Sequence, residues 1–285
     1  MTAVESDAER RYEVDERDVE YMQVDGTPFV ARVLQPRGDG PFPILLYVHG
    51  GAWTAGSRMG TAWAYEPLAP RGVVVVAIDF RLAPDHPYPE PLKDINYGIR
   101  WTKAHAADFN ADPSTLGALG SSSGGHQSVM NAMRPRDPRY ASRPLAEAPD
   151  VDAALRYVVG CWPITDPFAR YLFAQDTNRQ DLVTRTEGYF RTQEAMQEGN
   201  PQMILDRGEP VELPPMIIIQ GTADINVTPE IQRRFAESYR SRGGSCELHI
   251  FQDMPHGTTQ WPEAEAGDAM DKIRAFIDRQ VAAKA

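Results

Sequence analysis

The chain has 285 residues, 42% hydrophobic and 24% charged, enough for one large α/β domain or two small ones and ordinary for a soluble globular protein. Its formal net charge of −11 argues against nucleic acid or an anionic membrane as the main partner. No apolar run approaches a membrane span, and residues 1–18, rich in Asp, Glu and Arg, carry no apolar core of a secretory signal, so a cytoplasmic protein is expected.

Residues 1–16 read as a charged arm or a short helix. Asp18 to Asp25 and Phe29 to Leu34 form two strands joined by Gly26-Thr27-Pro28, a hairpin signal. Ile44 to Val48 is a continuous apolar strand of the kind found in a sheet covered on both faces, and Val73 to Ile78 is a second. Between them residues 60–70 read as a helix. Four prolines make residues 81–91 a loop, and Ile95, Ile99 and Trp101 give residues 92–106 a helical spacing. Residues 134–151 have no clean period and read as a surface connection. Leu155 to Val159, Met216 to Ile219 and Cys246 to Phe251 are further strands, with helices at 230–240 and 263–281. Cys161 and Cys246 lie in these apolar stretches without C-x-x-C spacing and read as buried free thiols, so no metal site is expected. Strands alternating with helices predict an α/β chain with a mostly parallel sheet and helices on both faces.

One segment breaks this rhythm. About fifty residues separate the strand ending near Cys161 from the one starting near Pro215, far more than a usual connection. They hold a helix-compatible stretch, Thr184 to Gln197, and aromatic residues at Phe168, Tyr171 and Phe173. Residues 165–210 are therefore expected to form a cap or lid.

The chemistry centres on Gly120-Ser121-Ser122-Ser123-Gly124, between an apolar strand and a helix. Only Ser122 has Gly at both −2 and +2, the frame of a nucleophile elbow, G-x-S-x-G. A serine hydroxyl needs a base to take its proton and a third group to orient that base. His256 lies in a polar loop after the last strand, where it can reach across the sheet edge. His249 sits within a strand, His105 in a helix, His86 in the proline-rich loop, and His126 too close to the elbow to turn back on it. Asp224 follows the strand Met216 to Ile219 through a tight Gly turn and is the expected acid, with Asp253 and Asp166 as rivals. The order Ser122, Asp224, His256 is that of the α/β-hydrolases. His49-Gly50-Gly51-Ala52-Trp53 follows the strand Ile44 to Val48 and predicts an oxyanion hole from the N–H groups of Gly51, Ala52 and Ser123. His49 is expected to shape that loop by hydrogen bonding.

With these motifs in place, the chain resembles the hormone-sensitive-lipase-like esterases. The resemblance rests on Tyr47 to Gly51, Asp79 to Pro87, the elbow, Gly221 to Asp224 and His256-Gly257, and it runs from about Pro41 to the C-terminus. Two departures concern the substrate. Ala52-Trp53 follow the glycine pair, as in the H-G-G-x-W variant of kynurenine-formamidase-like enzymes, and Ser121 and Ser123 flank the nucleophile where the family usually has Asp and Ala. The resemblance implies a single α/β-hydrolase domain over residues 1–285 and Asp79 and Arg81 bracing the elbow. It further implies a helical cap built from the N-terminal arm and residues 165–210. It also implies cleavage of small-molecule carboxylic esters through an acyl-enzyme, with no cofactor. An amidase or formamidase on the same scaffold is the nearest alternative, and a non-catalytic binding protein of this fold the more distant one. Trp53 and Trp162 are candidates for lining an apolar substrate pocket. Exposed edge strands are compatible with a homodimer.

Overall fold

Eight strands hydrogen-bond into one sheet in the order β1-β2-β4-β3-β5-β6-β7-β8. The structure is a computed structural model that describes residues 11–283. β1 (Val14–Val24) and β2 (Thr27–Pro36) form an antiparallel hairpin, and β2 continues antiparallel onto β4 (Val74–Ile78). The hairpin turns at Asp25 and Gly26, both at positive φ, so Pro28 lies inside β2 opposite Gln23. A two-residue Asp-Gly turn at these dihedrals matches the twist of its strands. The described part of the N-terminal arm belongs to this edge and not to a cap. Tyr12 packs edge-on against Phe42 with ring centroids 5.1 Å apart, and Val14 already starts β1. Residues 1–10 of the predicted arm lie outside the described residues.

The remaining strands are parallel: β3 (Ile44–Val48), β5 (Gly117–Ser121), β6 (Val158–Cys161), β7 (Met216–Gly221) and β8 (Cys246–Phe251). β6 starts later than the predicted strand at 155–159, because Val158 to Cys161 are the residues that pair with Ala118 to Ser121. Alternation along each strand divides the core between two faces. Ile44, Leu46 and Val48 point to one face, against α1 (Glu90–Ala104), α2 (Ser123–Met133) and α7 (Pro229–Ser241). Leu45 and Tyr47 point to the other, against α8 (Glu263–Ala282) and the segment 62–71. That segment forms two short 3-10 turns, Ala62–Ala64 and Glu66–Arg71, in place of the predicted helix. Pro67 and Pro70 remove the N–H donors an α-helix would need there.

Between β6 and β7 the chain makes four helices: α3 (Pro167–Asp176), α4 (Gln180–Phe190), α5 (Gln193–Glu198) and α6 (Pro201–Asp206). The predicted helix 184–197 is thus two. Arg191 breaks it at φ 65°, and the Thr192 side chain accepts from Ala195 N to start α5. α3, α4 and α5 share a third apolar cluster, with Tyr171, Val183, Tyr189, Phe190 and Met196 packed around Trp53. Among the described residues no helix is long and apolar enough to cross a membrane.

Candidate active site

Ser122 stands at the junction of β5 and α2 with φ 52° and ψ −117°, a strained conformation for a residue with a side chain. The strain is held by backbone bonds on both sides. Ser122 N donates to Cys161 O at 2.9 Å, and Ser122 O accepts from His126 N and Ile164 N, each at 3.1 Å. The turn also needs Gly124, because a β-carbon there would collide with the carbonyl oxygens of Val48 and His49.

The structure brings together the three side chains singled out in the sequence. His256 Nε2 lies 3.0 Å from Ser122 Oγ, and His256 Nδ1 lies 2.7 Å from Asp224 Oδ2. A carboxylate can only accept, so Nδ1 carries the proton and Nε2 faces the serine hydroxyl as acceptor. Asp224 Oδ1 accepts from the backbone N–H of Asn226 and Val227, each at 2.8 Å, and Oδ2 also accepts from Gln220 Nε2 at 3.0 Å. Burial pushes the Asp224 carboxyl up, but the hydrogen bond and charge of His256 and the two N–H groups outweigh it, holding the group below the usual aspartate value. The rival acids are engaged elsewhere. Asp166 caps α3 through Ala169 N, and Asp253 is exposed and accepts from Gln252 Nε2.

The loop after β3 supplies backbone donors. Gly51, Ala52 and Trp53 all have positive φ, and Thr54 N and Ala55 N close back onto Gly51 O. A β-carbon at Gly51 would strike the Ala55 carbonyl, so the turn admits glycine alone. Among the described residues none accepts from the N–H groups of Gly51, Ala52 or Ser123. His49 shapes the same loop, with Nδ1 2.8 Å from Gly50 O and its ring stacked on Phe80 at 4.3 Å.

Ser122, His256, Gly51 and Ala52 share a cleft of about 620 Å³. Trp162 lines it, 6.1 Å from the His256 ring, with Trp63 stacked on it at 6.3 Å. Trp53 does not line it. Its ring is 1% exposed and stacks on Tyr189 at 5.0 Å, because the left-handed turn at residues 51–53 carries it away from the cleft into the third apolar cluster. Asp79 and Arg81 do not brace the elbow either. Asp79 binds Arg58 N at 2.7 Å and the Arg58 side chain, fixing the far end of the 49–60 loop, while Arg81 forks onto Asp94 of α1 with two 2.7 Å bonds. Arginine and carboxylate satisfy each other wherever the chain lets them meet. Arg179, Arg185 and Asn226 also line the cleft, and no motif in the sequence announces them.

His126 ties these parts together. It is fully buried, its Nδ1 receives Trp53 Nε1–H at 3.1 Å, and its Nε2 donates to Gly199 O at 2.8 Å. Indole N–H can only donate, so the ring must be the neutral Nε2–H tautomer. Burial, against a smaller opposing pull from Gly199 O, brings its pKa down from 6.5 to about 4. A depressed folded value means that the unfolded chain takes the proton first. The contribution is fully present above about pH 6.5 and is lost as pH falls toward 4, on the order of 3 kcal/mol. Denaturant unfolding across pH 4–7 should show this slope in the wild type and a shallower one in His126→Gln, whose amide can keep both bonds. Equal slopes in the two proteins would remove His126 as its source.

The strand order, the elbow between β5 and α2, and the loops at the strand ends define an α/β-hydrolase. The structure superposes on the propionate-bound Est2 esterase of Thermogutta terrifontis with TM-score 0.72 and 25% identity, covering 94% of each chain. It superposes on a hyperthermophilic esterase from Pyrobaculum calidifontis with TM-score 0.74 and 21% identity, covering 96% of this chain and 88% of that one. The BD-FAE family model matches residues 33–239, and the chain belongs to that family. Relatives in sequence include esterase LipC of Mycobacterium tuberculosis, 30% identical over 84% of this chain and 59% of its own length. The carboxylic ester hydrolase LipN of the same organism is 38% identical over 87% of this chain and 67% of its own. The chain thus spans about three fifths to two thirds of the length of these two curated relatives.

Proposed function

We propose that the protein is a serine hydrolase of carboxylic esters, with Ser122 as nucleophile, His256 as base and Asp224 as its orienting acid. The observation that carries this reading is the continuous run from Ser122 Oγ through His256 to Asp224 at 3.0 and 2.7 Å, beside three N–H groups that have no acceptor among the described residues. In the first step Ser122 Oγ bonds to the ester carbonyl carbon as its proton passes to His256 Nε2. The N–H groups of Gly51, Ala52 and Ser123 hold the oxyanion. The carbon–oxygen bond then breaks, and the leaving alcohol takes the proton from Nε2. Water attacks the acyl-enzyme, Nε2 accepts its proton and returns it to Ser122 Oγ, and the carboxylic acid leaves. No step draws on a metal or cofactor. The names of LipC, LipN and Est2 as esterases support an ester over an amide.

Residues 165–210 act in this reading as the cap, since α3 to α5 pack over Trp53 and Leu182 reaches the cleft. The buried free thiols Cys161 and Cys246 support a cytoplasmic, reducing setting, and the edges β1 and β8 support a homodimer.

Short-acyl 4-nitrophenyl esters and the matching anilides separate the readings. Fast ester turnover with slow anilide turnover is expected, together with one-to-one inactivation by an organophosphorus ester that adds its mass to the peptide holding Ser122. Comparable anilide cleavage would move the function to an amidase. Turnover on esters without a label on Ser122 would overturn the nucleophile.

A further inference from the structure

The protein is strongly acidic, yet the cleft lining contributed by the start of α4 is basic. Arg179 and Arg185 both line it, and among the described residues that line it Asp181 is the one carboxylate. Asp181 lies 3.8 Å from Arg179 Nε and offsets that charge in part. Arg185 has no carboxylate partner among the described residues. It is exposed, and its Nη1 donates to Thr54 Oγ1 at 2.7 Å, which holds the guanidinium beside the loop that carries Gly51 and Ala52. A third arginine stands behind them. Arg170 is fully buried and forms no ion pair among the described residues; it donates to Asn226 Oδ1 through Nε at 3.0 Å and Nη2 at 2.8 Å. Burial first, and then repulsion from Arg179, brings its pKa down to about 10, against the opposing pull of the Asp181 and Asp224 carboxylates. With Oδ1 of Asn226 taken by Arg170, its Nδ2–H donors are left without an acceptor among the described residues, on a residue that lines the cleft.

Three guanidinium groups gathered in one region with too few carboxylates leave an uncompensated positive field where the substrate sits. We infer that the cleft takes esters bearing a second, anionic group, a carboxylate or a phosphate, held by Arg185 with Arg179 and the Asn226 amide. This rests on the ester-hydrolase reading above and names its substrate class. Arginine suits the task because its planar fork matches a carboxylate or phosphate with two parallel bonds.

The test has two arms. One compares 4-nitrophenyl hemisuccinate with 4-nitrophenyl butyrate, placing the charge on the acyl side. The other compares 4-carboxyphenyl acetate with phenyl acetate, placing it on the leaving group. The readout is the ratio of kcat/KM for the charged and neutral ester, and its change on mutation cancels intrinsic reactivity. Arg185→Gln is expected to lower that ratio roughly tenfold in one arm, chiefly through KM, as loss of a charged hydrogen bond at a partly wet site would. Arg179→Gln should lower it less, because Asp181 already offsets its charge. Raising the salt concentration should lower the wild-type ratio in the same arm. The arm that responds tells which side of the ester carries the anion. Ratios unmoved by either variant in both arms, with neutral esters still hydrolysed, overturn the inference and leave the hydrolase reading standing. Failure to turn over any of the four esters sinks the hydrolase reading itself.

Discussion

Ser122→Ala is expected to lower kcat on a 4-nitrophenyl ester by about a millionfold, to the residue of catalysis that binding and the N–H donors alone provide. Alanine keeps the β-carbon, so the strain at φ 52° and the backbone bonds that hold it are unchanged. What disappears is Oγ and its contact with His256 Nε2. Stability should therefore move by about 1 kcal/mol or less, the net value of a typical hydrogen bond. Steady-state rates set beside a thermal melt separate the two effects. A variant that keeps more than a thousandth of wild-type kcat, once contaminating esterase is excluded, rules out Ser122 as the nucleophile.

The second large effect belongs to Asp224→Asn, expected to cost about ten-thousandfold in kcat near neutral pH with little change in KM. The reason lies in how the carboxylate is used. Both oxygens accept: Oδ1 from two backbone N–H groups, Oδ2 from Gln220 and His256. An asparagine can satisfy the two backbone donors with its oxygen, but its NH2 group then faces His256 Nδ1. The ring must accept there and carry its proton on Nε2, where it can no longer take the proton of Ser122. The variant should remain folded and should still bind a substrate analogue. A loss smaller than tenfold would mean that some other group orients His256, and with it the role given to Asp224 would fall.

The elements that carry these residues are largely legible in the sequence. Ile44 to Val48 and Met216 to Ile219 read as buried parallel strands because uninterrupted apolar runs have few other places to go. The glycines around Ser122 and after His49 are legible for a steric reason, since each marks a spot where a β-carbon would meet a carbonyl. The orientation of side chains is not legible in this way. Trp53 follows the loop that bears Gly51 and Ala52, yet two successive left-handed residues aim it into the cluster under α4. Asp79 and Arg81 carry charges whose partners, Arg58 and Asp94, are set by tertiary approach and not by spacing. The basic lining is hidden for the same reason. Arg179, Arg185 and Asn226 come from two segments of the chain, and only the packing of α3 and α4 against the loop after β7 gathers them at one cleft.

That packing ties the helices between β6 and β7 to the loop that carries the acid. Asn226 accepts from Arg170 of α3 through its side chain and donates to Asp224 through its backbone N–H. A motion that lifts α3 and α4 away must first break the two bonds from the buried Arg170 guanidinium to Asn226 Oδ1, and the loop that would be tugged is the one that steadies the carboxylate. α3 and the acid are therefore linked through one residue, Asn226. In local unfolding they should behave as a single cooperative block, so that release of α3 and loss of a correctly held imidazole are the same event.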